Sequence, residues 1–192
     1  MKPVLVTPPG HYPVTREEAK MHLRVDDSDE DSLVTGLIAA VTAYLDGWSG
    51  ILGRCIVTQT WQFGVSGWSG CIRLPFPDVS SVEIKYQDAD NVEQTVDPSL
   101  YEVVADATGV SVWFRDGFSG PDLYDDMQEP ITVSLTAGYG GSEDVPAPIK
   151  QAILLMVAHL HENRASASDL RLMEVPMAFN ALVQPHRHMV VG

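Results

Sequence analysis

Residues 28–50 read SDEDSLVTGLIAAVTAYLDGWSG, and this stretch decides the fold class of the chain. Ser28 followed by Asp31 is typical of a helix start, where carboxylates lie at the positive end of the helix dipole. Gly47, Gly50 and Gly53 are typical of a helix end. Between these signals the apolar residues recur at helical spacing and predict one long amphipathic helix. The predicted apolar face consists of Leu33, Val34, Leu37, Ile38, Val41, Tyr44, Leu45 and Trp48.

Two further helices are predicted outward from this stretch. On the N-terminal side, Thr15 and Glu18 form a capping box, which predicts a short helix from Thr15 to about Leu23. On the C-terminal side, Pro146 and Pro148 stand where the first turn of a helix tolerates proline, and apolar spacing then continues to about Arg164. The apolar face of that helix consists of Ile149, Ala152, Ile153, Met156, Val157 and Leu160.

The residues between the helices change to the period of two that is typical of β-strands. One predicted strand places Cys55, Val57, Trp61 and Phe63 on one face. Short runs follow at spacings of 8–12 residues, which favours an antiparallel sheet, a sandwich or a small barrel. These runs contain Ile72 and Leu74; Val82, Ile84 and Tyr86; Val92, Gln94 and Val96; Tyr101 and Val103; Val110 and Val112; and Ile131, Val133, Leu135 and Ala137.

These patterns predict an α+β fold, a small helical bundle with an inserted antiparallel β domain. We expect residues 1–53 to form the N-terminal helical part and residues 54–141 the inserted β domain. Residues 142–164 are expected to form a C-terminal helix that packs on the N-terminal helices, because each has one apolar face to bury. Residues 165–192 are expected to form an apolar C-terminal tail.

The charge of the chain argues against general nucleic-acid binding. The 192 residues include 12 Lys and Arg against 26 Asp and Glu, which gives a formal net charge of −14. Nucleic-acid affinity comes largely from Lys and Arg that displace counterions, so DNA could pass such a surface without specific binding.

Residues 152–160, the longest helical apolar stretch, are about half as long as a membrane span requires, so no membrane role is expected. Residues 1–10 lack the apolar core of an export signal, so we expect the chain to be made in a cytoplasm, with Cys55 and Cys71 reduced.

Two surfaces stand out as candidates for contact with a partner. One is an acidic patch, which also fits the start of a helix, formed by Asp26, Asp27, Asp29, Glu30 and Asp31. The other is the tail, which is apolar without a clear period and is therefore expected to fold back on its own helices or to dock on a neighbouring subunit. The predicted docking residues are Leu170, Leu172, Val175, Pro176, Phe179, Leu182, Pro185 and Arg187.

The remaining motifs do not form a convincing catalytic or metal site, and no cofactor is expected. His159 and His161 lie two positions apart on a helix, so they do not converge as metal ligands at i and i+4 do. The Asp26–Asp31 run lacks the glycine and the final carboxylate of a calcium loop. Gly138–Gly141 precedes a helix but lacks the Gly-Lys-Ser/Thr ending of a phosphate loop. The sequence therefore contains no recognisable enzyme signature.

A series of short motifs occurs in a fixed order along the chain. The motifs at the start are Val14-Thr15 to Lys20, His22 to Asp26, Gln59-Thr60-Trp61, Leu74-Pro75, and Tyr86-Gln87-Asp88. Those that follow are Ala137 to Gly140, Val145-Pro146, Pro148 to Ile153, Glu162-Asn163-Arg164, Val175-Pro176, Leu182-Val183 and Pro185-His186-Arg187. This order resembles the head–tail connector (adaptor) family of tailed bacteriophages, and the resemblance covers nearly the whole chain. Val183 and His186 depart from the Leu and the aromatic residue that are common in the family.

The resemblance implies a structural protein of the neck of a virion or of a related gene transfer agent, made in the bacterial cytoplasm. Such adaptors form rings, commonly of twelve copies, under the portal protein, where they extend the DNA channel and receive stopper and tail-completion proteins. It also implies that the tail from Leu170 to Arg187 docks on the portal. Deletion of Leu170–Gly192 is then expected to leave a folded chain that does not join portal-filled heads.

Two alternatives from other classes remain open. A small hydrolase would require a deep pocket that groups His, Ser and Asp side chains. A β-sandwich module for a small ligand would require a ligand groove. The adaptor hypothesis instead predicts a flat surface with few pockets.

Overall fold

The computed structural model describes residues 2–107, 109–163 and 177–188, and these residues form two compact units. The helical unit contains residues 11–57, 139–163 and 177–188, and the β unit contains residues 2–10 and 58–138 apart from residue 108. Residues 2–10 were expected with the helices, and residues 54–57 and 139–141 with the strands. The predicted α+β class is confirmed by helices and two antiparallel sheets.

The helical unit contains four α-helices. They are α1 (Arg16–Leu23), α2 (Asp31–Leu45), α3 (Ala147–Glu162) and α4 (Met177–Val183). Short 3₁₀ helices cover Ser28–Glu30, Ser142–Asp144 and Gln184–His186. The predicted capping box is confirmed, since Thr15 Oγ1 accepts from the Glu18 N–H at 3.1 Å and Glu18 Oε2 accepts from the Thr15 N–H at 2.7 Å. No helix of the described residues is long and apolar enough to cross a membrane.

The apolar face of α2 packs on α3 and is narrower than the sequence predicted. Val34, Ile38, Val41 and Leu45 are buried, whereas Tyr44 is 49% exposed and Trp48 is 41% exposed. The prediction for Trp48 is wrong because the helix ends at Leu45, after which Asp46 is extended and Gly47 has a φ of 76°. The core of the helical unit is continuous. It includes Val14, Ala19, Val34, Ile38, Val41, Leu45, Leu52, Ile56, Val57, Val145, Ile149, Ala152, Ile153, Met156, Val157, Phe179 and Val183.

The β unit contains two antiparallel sheets. Its strands are β1 (Val4–Thr7), β2 (Gln59–Val65), β3 (Cys71–Arg73), β4 (Val79–Gln87), β5 (Glu93–Thr95), β6 (Tyr101–Asp106), β7 (Gly109–Phe114) and β8 (Ile131–Ala137). The five-stranded sheet has the order β1-β2-β8-β4-β5, and the three-stranded sheet has the order β3-β7-β6. In β8 alternate residues are buried, with Ile131, Val133, Leu135 and Ala137 facing the core as the period of two predicted.

The segment before β2 corrects one strand prediction. Cys55 and Val57 are buried in the helical unit outside any strand, and β2 begins at Gln59. The backbone of Ile56 explains the difference, because its N–H donates to Asp46 Oδ1 at 2.6 Å and its carbonyl accepts from the Tyr139 N–H at 3.2 Å. Cys55 and Cys71 form no disulfide bond.

A hydrogen bond and a ring cluster connect the two sheets of the β unit. The Tyr101 hydroxyl on β6 donates to the Val82 carbonyl on β4 at 2.8 Å, and burial raises the pKa of Tyr101. Trp68 makes edge contacts with Tyr86 on β4 and with Phe114 on β7, at centroid distances of 5.3 and 5.6 Å. Aromatic pairs in this geometry add to the stability gained from burial alone.

Candidate assembly surfaces

Three residues of the acidic patch have partners within the helical unit. Asp31 is paired with Lys20 at 2.6 Å and with Arg16 at 3.3 Å. The hydrogen bond from Lys20 is the main cause that lowers the pKa of Asp31, and the charge of Arg16 lowers it further. Glu30 Oε2 lies 2.8 Å from Nε2 of His161 on α3. Three of the five predicted patch residues are thus engaged within the unit, since Asp27 caps the 3₁₀ helix through the Asp29 N–H.

Asp26 and the side chain of Asp29 remain at the surface of this corner. Both residues are exposed. In contrast, Asp31 in the first turn of α2 forms a local ion pair with Lys20, and its charge is also favourable at the helix start. An acidic contact for a partner, if formed here, would rest on Asp26 and Asp29.

The described part of the C-terminal tail folds back on its own helices. Phe179 is 1% exposed and Val183 is 2% exposed in the core of the helical unit, and Leu182 packs against that core. The Phe179 ring stacks on Tyr44 of α2 at a centroid distance of 6.4 Å. Four predicted docking residues, Leu170, Leu172, Val175 and Pro176, lie outside the described residues. Of the others, Pro185 and Arg187 are exposed, whereas Phe179 and Leu182 are used internally.

The end of the described tail is fixed to the loop after α2. Arg187 Nε donates to the Ile51 carbonyl at 3.0 Å, and the His188 N–H donates to the Leu52 carbonyl at 2.7 Å. Gly53 has a φ of 61°, and a Cβ there would lie 2.5 Å from the His188 carbonyl oxygen. Glycine is therefore required at this position for the tail to approach so closely.

The strand β1 is the most exposed apolar element of the β unit, and the sequence analysis did not predict it. Val4, Leu5 and Val6 are 61, 41 and 55% exposed. Successive side chains of a strand point to opposite faces, so neither face of β1 is covered. Among the described strands β1 forms one edge of the five-stranded sheet and pairs with β2 alone. The sequence signal for this strand is the apolar run Val4-Leu5-Val6 shortly before Pro8 and Pro9.

A second exposed apolar surface lies at an edge of the three-stranded sheet. Val103 and Val104 on the edge strand β6 are 39 and 36% exposed, and Trp113 on β7 is 53% exposed. Trp113 is paired with Glu102, so Trp113 and Val104 share one face of the sheet, whereas Val103 lies on the other. This edge resembles β1 in that both of its faces carry exposed apolar side chains.

The long loop between β7 and β8 forms a cavity, so the surface is less flat than the adaptor hypothesis predicted. The cavity has a volume of about 660 Å³ and is lined by Trp68, Tyr124, Met127 and the carboxylates Asp122 and Asp125, among others. Trp68 Nε1 donates to the Pro121 carbonyl at 2.8 Å and thereby holds the loop. Its lining includes Ser66 but no histidine among the described residues, so it does not provide the His, Ser and Asp group of a hydrolase.

The other motifs have structural roles. In the turn before the Ser142–Asp144 helix, Asp144 Oδ2 accepts from the Gly141 N–H at 2.9 Å. The Asp144 carboxylate thus caps the start of this short helix. Among the residues of the described ranges, no three His, Cys, Asp or Glu side chains are grouped to hold a metal ion.

Comparison with known proteins identifies the fold. No protein-family model and no curated protein matches the chain. A chain in the neck of the empty gene transfer agent particle, computed with C6 symmetry, matches with a TM-score of 0.77 at 22% identity. Chains in the native virion and in the native neck, computed with C12 symmetry, match with TM-scores of 0.70 at 21 and 20% identity. Each match covers 100% of this chain and 97% of the other. The fold expected from the resemblance is thus confirmed: over its whole length the chain has the fold of chains in gene transfer agent particles.

Proposed function

We propose that the chain is a structural adaptor in the neck of a tailed phage or a gene transfer agent, where copies of it form a ring that joins head and tail. The observation that carries this proposal is the fold match, which includes 100% of this chain and 97% of a neck chain at a TM-score of 0.77. A match of both the helical unit and the inserted β unit, in one chain order, is more specific than a match of either unit alone.

The ring has support from the assemblies that contain the matching chains. Their necks were computed with C12 and C6 symmetry, which fits closed rings of identical copies. For this chain we propose a ring of twelve copies under the portal protein. Its other side receives the stopper and tail-completion proteins. The ring is located in the particle neck, after synthesis in the bacterial cytoplasm.

The charge of the chain suits a position beside passing DNA. A ring of copies that each carry a formal charge of −14 would repel the phosphate backbone. The local pairing of Asp31, Glu30 and Asp27 shows that part of the acidity has an internal use. DNA is therefore expected to slide through the ring without specific contacts.

Contact with the portal is proposed for the C-terminal tail, with its roles divided between exposed and buried residues. Pro185 and the 86% exposed Met177 are available to a partner, and so is the exposed part of Arg187, whose Nε donates to the Ile51 carbonyl. Phe179 and Leu182 shape the helical unit that presents them. Exposed apolar side chains of this kind are typical of protein–protein contacts.

The proposed function is tested on capsids that lack only this chain. DNA-filled, tail-free capsids are purified from a strain in which the gene is disrupted, incubated with the purified chain, and imaged by cryo-electron microscopy. We expect a ring of added density at one vertex, and recovery of tail attachment in an extract that supplies tails. Capsids without added density, together with normal tail attachment in the disrupted strain, would contradict the proposal. Denatured chain at the same concentration is the control for nonspecific adhesion.

A further inference from the structure

The ring of the proposed function, on which this inference rests, requires two different surfaces on every copy. In a cyclic ring with more than two members, each copy contacts the next head to tail, so one surface of a copy meets a different surface of its neighbour. A surface that pairs with itself closes at two copies. The β unit has four sheet edges, and their composition indicates which two could meet.

The composition and exposure of the edge strand β1 favour contact with another strand. Its three apolar side chains are 41–61% exposed, and Val4–Thr7 contains no charged residue. Soluble proteins usually protect edge strands with charges, because an unpaired edge offers N–H and C=O groups to another strand. Pro3 and Pro8 limit the strand to a short length, which restricts how long a partner strand can be.

The edge strand β6 is the matching element. It is the last strand in the order β3-β7-β6 of the residues that the structure describes, and Val103 and Val104 are exposed on its two faces. The other two edges differ. The strand β5 has the polar sequence Glu-Gln-Thr, and β3 spans only Cys71–Arg73.

We propose that β1 of one copy adds to the edge of β6 in the next copy, so that the five-stranded sheet of one subunit continues into the three-stranded sheet of its neighbour. The partner of β1 is a second copy of this chain, because every copy has one β1 edge and one β6 edge. The charges are complementary as well, since residues 1–10 contain Lys2 and no acid, whereas β6 contains Asp106 and Glu102, the latter in an exposed ion pair with Arg115 at 3.6 Å. Strand addition derives affinity from backbone hydrogen bonds and specificity from the alternating side chains.

The first test compares matched valines in rings that form on the tail-free capsids described above. Val6→Lys and Val104→Lys each place a charge in the proposed contact. Val92→Lys, at a turn beside β5, is the control, because Val92 is 51% exposed against 55% for Val6. We expect ring occupancy to fall about tenfold or more in the first two variants, as desolvation of a lysine at an apolar contact implies, and to be unchanged in the control. Far-ultraviolet circular dichroism checks that all three variants are folded.

The second test uses cross-linking and does not depend on a disruptive substitution. In a Cys71→Ser background, in which Cys55 is buried, single cysteines replace Val4, Leu5 or Val6 in one preparation and Val103 or Val104 in another. Mixed rings are oxidised, and we expect disulfide-linked dimers only between the two classes of variant. Rings that carry no such cross-link, or that form normally from Val6→Lys chains, overturn the inference and leave the adaptor function standing. A parent chain that forms no ring on capsids overturns the adaptor function, and this inference with it.

Discussion

The two ends of the described chain each carry a short apolar element, and the structure uses them in opposite ways. In the β unit, β1 is attached by backbone pairing to β2 and leaves Val4, Leu5 and Val6 at least 41% exposed. In the helical unit, α4 is attached by its side chains, and Phe179 and Val183 are at most 2% exposed. Apolar composition alone therefore does not identify the surface that meets a partner.

This difference favours β1 over the described part of the C-terminal tail as a contact between copies. Because its apolar residues lack a helical or strand period, the sequence predicts that the C-terminal tail either folds back on its own helices or docks on a neighbouring subunit. Its described part folds back and completes the core of the helical unit. The strand at the other end has exposed apolar side chains that its own unit does not cover, and such a surface is more typical of an interface.

The largest expected effect is the loss of stability when the buried anchor of α4 is truncated. Phe179→Ala removes a ring that is 1% exposed and stacks on Tyr44. Replacement of a buried Phe by Ala costs about 3–5 kcal/mol, because apolar burial is lost and a cavity remains. Urea unfolding followed by circular dichroism measures the change in the free energy of unfolding.

Met177→Ala is the matched control on the same helix. Met177 is 86% exposed, so we expect a change within about 0.5 kcal/mol. Equal effects of the two substitutions would contradict the burial of α4.

Deletion of residues 170–192 is expected to destabilise the helical unit, because it removes Phe179 and Val183 from the core. A failure of the truncated chain to join heads would therefore not isolate a docking defect.

A smaller effect is expected where the end of the tail meets the loop after α2. Gly53→Ala forces alanine into a left-handed conformation, with φ near 61°, and places its Cβ 2.5 Å from the His188 carbonyl oxygen. The conformation alone costs about 1–2 kcal/mol. The control is Gly36→Ala in α2, where the added Cβ meets no atom within 4 Å apart from the neighbouring backbone of its own helix, and alanine is expected to stabilise the helix by about 0.5–1 kcal/mol. Thermal unfolding should therefore shift in opposite directions for the two variants.

An acid-dependent effect is expected in the helical unit because the pKa of Asp31 is lowered, chiefly by the hydrogen bond from Lys20. The stabilisation from this ionised carboxylate is fully present above the ordinary pKa of 3.8 and is lost as the pH falls through the lower folded-state value. Asp31→Asn should therefore weaken the decline of the melting temperature with acid. Asp26→Asn, at an exposed carboxylate of the same segment, is the control. Parallel acid declines for the parent chain and Asp31→Asn would contradict the role of this pair.

Features with a strong local cause could be predicted from sequence. Thr15 and Glu18 satisfy each other's backbone N–H groups within one turn, and this geometry needs no distant residue. The strand β8 is central in its sheet, so the alternation from Ile131 to Ala137 follows directly from burial of one face. The hairpin between β4 and β5 follows from Asp88, whose carboxylate accepts from the N–H groups of Asp90 and Val92.

Features that depend on tertiary partners could not be predicted in the same way. The strand β1 spans four residues with no buried face, so it has no alternation to detect. The helix α4 spans seven residues and is stabilised by packing on α3, since a helix of this length is not stable alone. Cys55 and Val57 show a strand period by coincidence, because hydrogen bonds to Asp46 and Tyr139 hold Ile56 between them in a loop.

The smallest expected effect belongs to β1 and is the sharpest test of the contrast between the two ends. Val6→Thr keeps the branched shape that suits a strand and replaces a methyl group by a hydroxyl, which water can solvate when the side chain is exposed. Since Val6 is 55% exposed, the free energy of unfolding of the isolated chain should change by less than about 0.5 kcal/mol. The same substitution at Val133, which is 0% exposed in β8, should cost about 1–3 kcal/mol because the hydroxyl is buried. A cost at Val6 as large as at Val133 would mean that the isolated chain already covers β1, and the reason to assign this strand to a neighbouring copy would be lost.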